Sequence, residues 1–225
     1  MRVLSCISFF RTVVQKFGFM DGKLRHLSIF SFFMNHYFGC NLTVRISNRS
    51  LSLLCGDLYG DAQHVVDVVT HLGRPVVLVG HSYGGGVITE AGHRLLVDQR
   101  VAVRHLVYLT AFCLDEGESV MQLAQHPSGG PVELGAAMKP LVNGTSILDR
   151  ALAGPAPYGK CPPAAIESAL DRLCPQPFAT LTQPANGAPW KTVPSTYVIC
   201  TEDKSIHPGH QTHMSARCSK VRIKL

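Results

Sequence analysis

No stretch of this chain approaches the roughly 18 consecutive apolar residues that a bilayer-crossing helix needs, so no transmembrane segment is expected. Cys-x-x-Cys pairs are missing as well: the eight cysteines (Cys6, Cys40, Cys55, Cys113, Cys161, Cys174, Cys200, Cys218) are scattered, which removes the usual zinc and dithiol patterns. Neither a metal nor any other cofactor is therefore expected. There is no internal repeat, which excludes a stacked-repeat architecture. Acid is almost absent from the opening, where Asp21 stands alone against seven basic residues in the first fifty (Arg2, Arg11, Lys16, Lys23, Arg25, Arg45, Arg49). The remaining 14 basic and 14 acidic residues cancel, so the opening carries the whole formal charge of +6.

Phenylalanine is distributed as unevenly as charge. Eight of the ten (Phe9, Phe10, Phe17, Phe19, Phe30, Phe32, Phe33, Phe38) precede residue 40, with Tyr37 among them. This composition break separates a divergent basic, Phe-rich segment, 1–57, from the remainder, 58–225. Three readings of the opening compete. Val3 to Phe10 resembles a signal-peptide core, but Arg11 closes it and no small-residue cleavage site follows. Basic residues interleaved with aromatics suit a nucleic acid or a membrane surface, but no recognised module accompanies them. The reading adopted is a replaced or mistranslated start on a globular core, with a cytoplasmic location and no nucleic-acid partner. An apolar content of 46% and a length of 225 residues suit one domain with a buried core.

The most informative stretch is Val76-Val77-Leu78-Val79-Gly80-His81-Ser82-Tyr83-Gly84-Gly85-Gly86. Val76 to Val79 is a continuous apolar run suited to a central parallel strand buried on both faces. After the glycines, Val87, Ile88, Ala91 and Leu95 recur at helical spacing. A serine bracketed by glycines between such a strand and helix reads as a nucleophile elbow: a strained turn exposes the Ser82 hydroxyl, and Gly80 and Gly84 leave room for crossing backbones. The Tyr83 N–H then points at the oxygen that becomes negative in acyl transfer. G-x-S-x-G alone fixes only three positions, and the competing reading is a glycine-rich turn that packs or cradles a phosphate.

With Ser82 placed, residues 58–225 resemble the α/β-hydrolase superfamily, and Gly-His-Ser-Tyr-Gly-Gly resembles its esterase, hydroxynitrile-lyase and salicylate-esterase-like branch. The resemblance implies an α/β fold, with a mostly parallel sheet flanked by helices and a small cap. Asp61 to Leu72 reads as the helix before the nucleophile strand, ending at Gly73. Leu106 to Phe112 and Ser195 to Thr201 read as the next core strands. A Pro- and Gly-rich insertion at about 115–190 resembles the family's cap, with a helix starting near Pro162 and Pro163. Asp203, after the 195–201 strand, matches the position of the family's triad acid, with Glu202 the second choice. Pro208 to Cys218 reads as a helix and Val221 to Leu225 as a strand. Cys113 and Cys200 read as small buried residues, and Cys161 and Cys174 as too far apart to bridge easily.

Two family features are missing from the sequence. No His-Ser-Pro-Phe-like segment follows the last strand, and no His-Gly pair occurs to supply the second oxyanion N–H. Loss of one such donor costs on the order of 100-fold in rate. His207 is the nearest histidine after Asp203, but reads better as a loop residue than as a base. His81 adjoins the nucleophile, and the elbow turns it away from Ser82. The expectation is a serine hydrolase-like protein, incomplete at both ends, acting on a small-molecule ester or amide and impaired by the missing triad histidine. The alternatives are a non-catalytic pocket-binding protein or truncated gene remnant, and a lyase or acyltransferase on the same fold.

Overall fold

The computed structural model describes residues 43–46, 49–52, 56–98, 101–130, 133–153, 163–171, 173–218 and 221–224. Most of the 1–57 segment, including the signal-like run, lies outside them. Two short strands come first, β1 (Thr43–Ile46) and β2 (Arg49–Ser52). Helix α1 (Leu58–Leu72) leads to β3 (Val76–Ser82), α2 (Gly84–Asp98) and β4 (Val103–Ala111). After a long insertion come β8 (Ser195–Ile199), a helix at Pro208–Cys218 and β9 (Val221–Lys224). The sheet order is β2-β1-β3-β4-β8-β9. β3, β4, β8 and β9 pair in parallel, whereas β1 is antiparallel to both β2 and β3.

Local chemistry explains the boundaries. Helix α1 starts three residues before the predicted Asp61 because the Asp57 side chain caps it, accepting the Gly60 N–H at 2.6 Å. It ends at Gly73 as expected, where φ is +58° and the cap N–H returns to Thr70 and Val69 carbonyls. β3 is buried from Val76 to Gly80, as a strand covered on both faces must be. β8 stops at Ile199, two residues short of the reading, because the Gln211 side chain takes over the backbone of Cys200. Its Oε1 accepts the Cys200 N–H at 2.8 Å.

The insertion holds α3 (Val120–Ala124), α4 (Glu133–Ala137), β5 (Met138–Pro140), β6 (Thr145–Leu148), α5 (Arg150–Ala153), α6 (Pro163–Leu170), β7 (Gln176–Pro177) and α7 (Ala179–Thr182). β5, β6 and β7 form a separate antiparallel sheet. Ala153, Ala169 and Leu170 make a small core of their own, backed by Leu148, Ile166 and Leu173. The helix predicted after the paired prolines is α6, and Pro163 opens it, where its missing N–H costs nothing. Cys113 is buried as expected and Cys200 half-buried. Cys174 is disulfide-bonded to a partner outside the described residues; Cys161 also lies outside them, and with it the reading of that pair.

The neck of the insertion is closed by backbone bonds from Gly117 N to Ala185 O (2.8 Å) and from Ala185 N to Glu118 O (2.9 Å). Arg217, on the helix at Pro208–Cys218 (α8), forks onto both Glu118 carboxylate oxygens and the Cys113 carbonyl. Burial works against ionising Glu118, yet the Arg217 hydrogen bonds and charge hold its pKa below the ordinary value. The returning chain is pinned to α2 by Glu90, whose fully buried carboxylate accepts from Asn186 N (2.8 Å), Asn186 Nδ2 (2.9 Å) and Arg94 Nε (2.9 Å). Removing one partner leaves a buried acceptor poorly satisfied. Asn186→Ala is therefore expected to lower the unfolding free energy by about 1–3 kcal/mol in urea titration, and an unchanged midpoint would contradict the pin.

Candidate active site

The end of β3 carries the site, and glycine makes it possible. A Cβ at Gly80 would stand 2.4 Å from the Gly84 carbonyl oxygen, and one at Gly85 2.6 Å from the Phe112 carbonyl oxygen. Real Cβ atoms never approach backbone so closely, so the strand and helix cross here only because both positions lack side chains. Between them Ser82 sits at φ +52°, a conformation uncommon for any residue but glycine, and is half-buried. The strain points to function rather than packing. Tyr83 is buried, and its hydroxyl donates to the buried Asp61 carboxylate at 2.9 Å. That bond anchors the residue whose N–H was expected to face a developing oxyanion.

Across from Ser82, β4 is irregular. His81 pairs with Leu109 but Ser82 pairs with Ala111, so Thr110 is an extra residue, a bulge, and its φ is +38°. The buried Tyr197 hydroxyl serves the displaced backbone, donating to Ala111 O at 2.7 Å and accepting from Ala111 N at 3.3 Å. Beyond the bulge, Phe112 N donates to the Ser82 carbonyl at 3.0 Å. At the bulge the buried Thr110 donates its hydroxyl to Asp203 Oδ2.

Asp203 lies on the turn after β8, as read from the sequence. Oδ1 accepts the Ser205 and Ile206 N–H groups at 2.7 and 3.1 Å, and Oδ2 accepts Thr110 Oγ1 and, at 3.0 Å, Gln211 Nε2. A carboxylate has about four lone-pair sites, and four donors meet them here. Glu202, the second choice, is exposed. Among the described residues, no histidine is hydrogen-bonded to Asp203 or Ser82. His207 instead accepts the Gly209 N–H at 3.0 Å and lies against Gly130, consistent with the loop-residue reading. His210 and His213 hold the cap: His210 Nε2 is 2.8 Å from the His126 carbonyl, and the His126 and His213 rings stack at 4.0 Å. His81 is half-buried; desolvation lowers its pKa from 6.5, and the nearby Asp203 charge partly offsets this.

The sequence reading missed Thr110, Gln211 and Asp61. Nothing marks them in the sequence: Thr110 reads as one more strand residue, and its bulge exists only because β3 and β4 fall out of register. Among the described residues, no group of three or more His, Cys, Asp or Glu side chains is arranged to hold a metal ion, and no helix is long and apolar enough to cross a membrane.

A strained serine between a buried parallel strand and a glycine-led helix, with a carboxylate on the turn after the second strand over, defines a class of fold. The model of the alpha/beta hydrolase family matches residues 33–224, and the chain belongs to that family. It is 35% identical over 147 residues to the alpha/beta hydrolase nvfD of Aspergillus novofumigatus, covering 64% of this chain and 57% of that protein. It is 46% identical over 61 residues to a carbendazim hydrolyzing esterase of a Nocardioides species, covering 27% of this chain and 23% of that protein. The chain thus spans little more than half the length of the longer-matching of these relatives. Among solved structures, a pyrethroid hydrolase from Sphingobium faniae shares the fold with TM-score 0.58 and 20% identity, over 75% of this chain and 69% of that one.

Burial lowers the pKa of His81, His105 and His213 below 6.5, in His213 with help from His126 and Arg217. Below that value the unfolded chain binds protons that the folded chain resists, so stability is lost as pH falls from 6.5 toward the folded values and is unaffected above it. Urea midpoints measured from pH 8 to pH 5 should be level down to about 6.5 and then fall. A midpoint that rises toward pH 5.5 would contradict this.

Proposed function

We propose that this chain is a serine hydrolase-like protein whose site takes a small ester or amide and whose nucleophile is Ser82. Ser82 Oγ attacks the carbonyl carbon and its proton passes to solvent water, from which the alcohol or amine takes a proton as its bond to the acyl carbon breaks. The Tyr83 N–H receives the oxyanion, the alcohol or amine departs, and water releases the acyl group. Asp203 is the acid of the site. One observation carries the reading: Ser82 is held at positive φ where β3 and α2 cross without room for a Cβ at Gly80 or Gly85. The named activities of relatives, a carbendazim hydrolyzing esterase and a pyrethroid hydrolase, agree with ester or amide chemistry.

No histidine among the described residues takes the base's place, so turnover is expected to be slow. A triad lacking one member retains roughly 10³–10⁴-fold catalysis over water. A second reading, a pocket that binds without reacting, is favoured by the fact that, among the described residues, no histidine is hydrogen-bonded to Asp203 or Ser82. A fluorophosphonate probe separates the two. Slow covalent labelling that disappears in Ser82→Ala is the expected result. Labelling absent from the wild-type chain, or retained in Ser82→Ala, would remove the hydrolase reading.

A further inference from the structure

We infer that Thr110 and Gln211 are positioning residues for Asp203, fixing its carboxylate in one orientation at the strand edge that also holds Ser82. The inference rests on the reading of Asp203 as the acid of the site. Three observations support it. Thr110 is β-branched and nevertheless sits at φ +38°, an outlier that survives only where its surroundings enforce it. What the strained geometry achieves is a hydroxyl turned onto Asp203 Oδ2.

Gln211 reaches the same oxygen from the opposite element. It is fully buried on α8, and its amide is used completely. Nε2 donates to Asp203 Oδ2 (3.0 Å) and Ile206 O (2.7 Å), with a longer contact to Cys200 O (3.4 Å), while Oε1 accepts Cys200 N (2.8 Å). One side chain thus ties both ends of the turn 200–206 and the carboxylate it carries. Rotating the carboxylate would strand a buried amide donor, which is costly. Finally, the bulge that aims Thr110 continues directly into Phe112, whose N–H holds the Ser82 carbonyl. Nucleophile backbone and acid are therefore joined through three consecutive residues of β4.

The proposal is tested with two readouts on Thr110→Val, Thr110→Ser and Gln211→Leu. The first is the rate of fluorophosphonate labelling at Ser82. Thr110→Val keeps shape and branching but removes the hydroxyl that anchors the bulge to Asp203; the displacement passes through Ala111 and Phe112 to the Ser82 carbonyl and should slow labelling by about 10- to 100-fold, the scale of a misplaced group. Thr110→Ser restores the hydroxyl and should restore the rate. The second readout needs no reactivity: the His81 ring titration by proton NMR. The Asp203 charge raises the His81 pKa, so Asp203→Asn should lower the titration midpoint. Thr110→Val and Gln211→Leu, which free the charged carboxylate to turn, should move the midpoint away from its wild-type value, and Thr110→Ser should not. If Gln211→Leu does not fold, the two Thr110 variants decide the matter. Wild-type labelling rate together with an unmoved His81 titration in Thr110→Val would overturn the proposal. Absence of labelling in the wild-type chain would count against Ser82 as nucleophile and leave the His81 titration to decide on positioning.

Discussion

The site depends on a close approach of backbones that side chains would forbid. Where β3 runs into α2, the Gly84 carbonyl lies so near Gly80 that one added carbon would collide with it, and Gly85 meets the end of β4 in the same way. This proximity lets the helix begin immediately after the strand and leaves Ser82 at the apex of a turn it would not otherwise adopt. The strain is borne by the core around it. Val76 to Val79 on one side and Val87, Ile88 and Ala91 on the other are buried together, and Tyr83 is tied to Asp61 below the turn. Burial of that much apolar surface exceeds the cost of one unfavourable dihedral.

A second irregularity complements the first. The sheet loses register between β3 and β4 at the level of Ser82, and the extra residue is Thr110. A bulge inside a buried sheet would leave backbone groups unpaired, but the Tyr197 hydroxyl meets both the N–H and the C=O of Ala111. The distortion can then re-aim a side chain, and Thr110 meets Asp203. Above the sheet, the insertion is held by contacts distant in sequence: Glu90 to Asn186, Arg217 to Glu118 and Trp190 Nε1 to the Leu114 carbonyl at 2.7 Å.

Features set by neighbouring residues were legible in the sequence. The glycine bracket around Ser82, the Gly73 helix end and the proline opening of α6 all follow from backbone rules that operate over a few positions, whereas the acid just past β8 is placed by resemblance to the family. Features set by distant partners were not. Gln211 ends β8 early because it bonds Cys200 across eleven positions, and Thr110 departs from strand geometry because of a register shift between separate strands. His207, the nearest histidine after Asp203, reads in the sequence as a loop residue rather than a base, and it accepts the N–H of its own helix turn, while His210 and His213 meet the cap.

The central claim is that Ser82 is a strained, addressable nucleophile with the Tyr83 N–H beside it. The most direct measurement is a crystal structure of the protein after exposure to a fluorophosphonate. The account predicts density for phosphorus bonded to Ser82 Oγ, with a phosphoryl oxygen about 2.7–3.1 Å from Tyr83 N and Ser82 still at positive φ. An adduct on another residue, or an unmodified Ser82 in ordinary extended geometry, would contradict it.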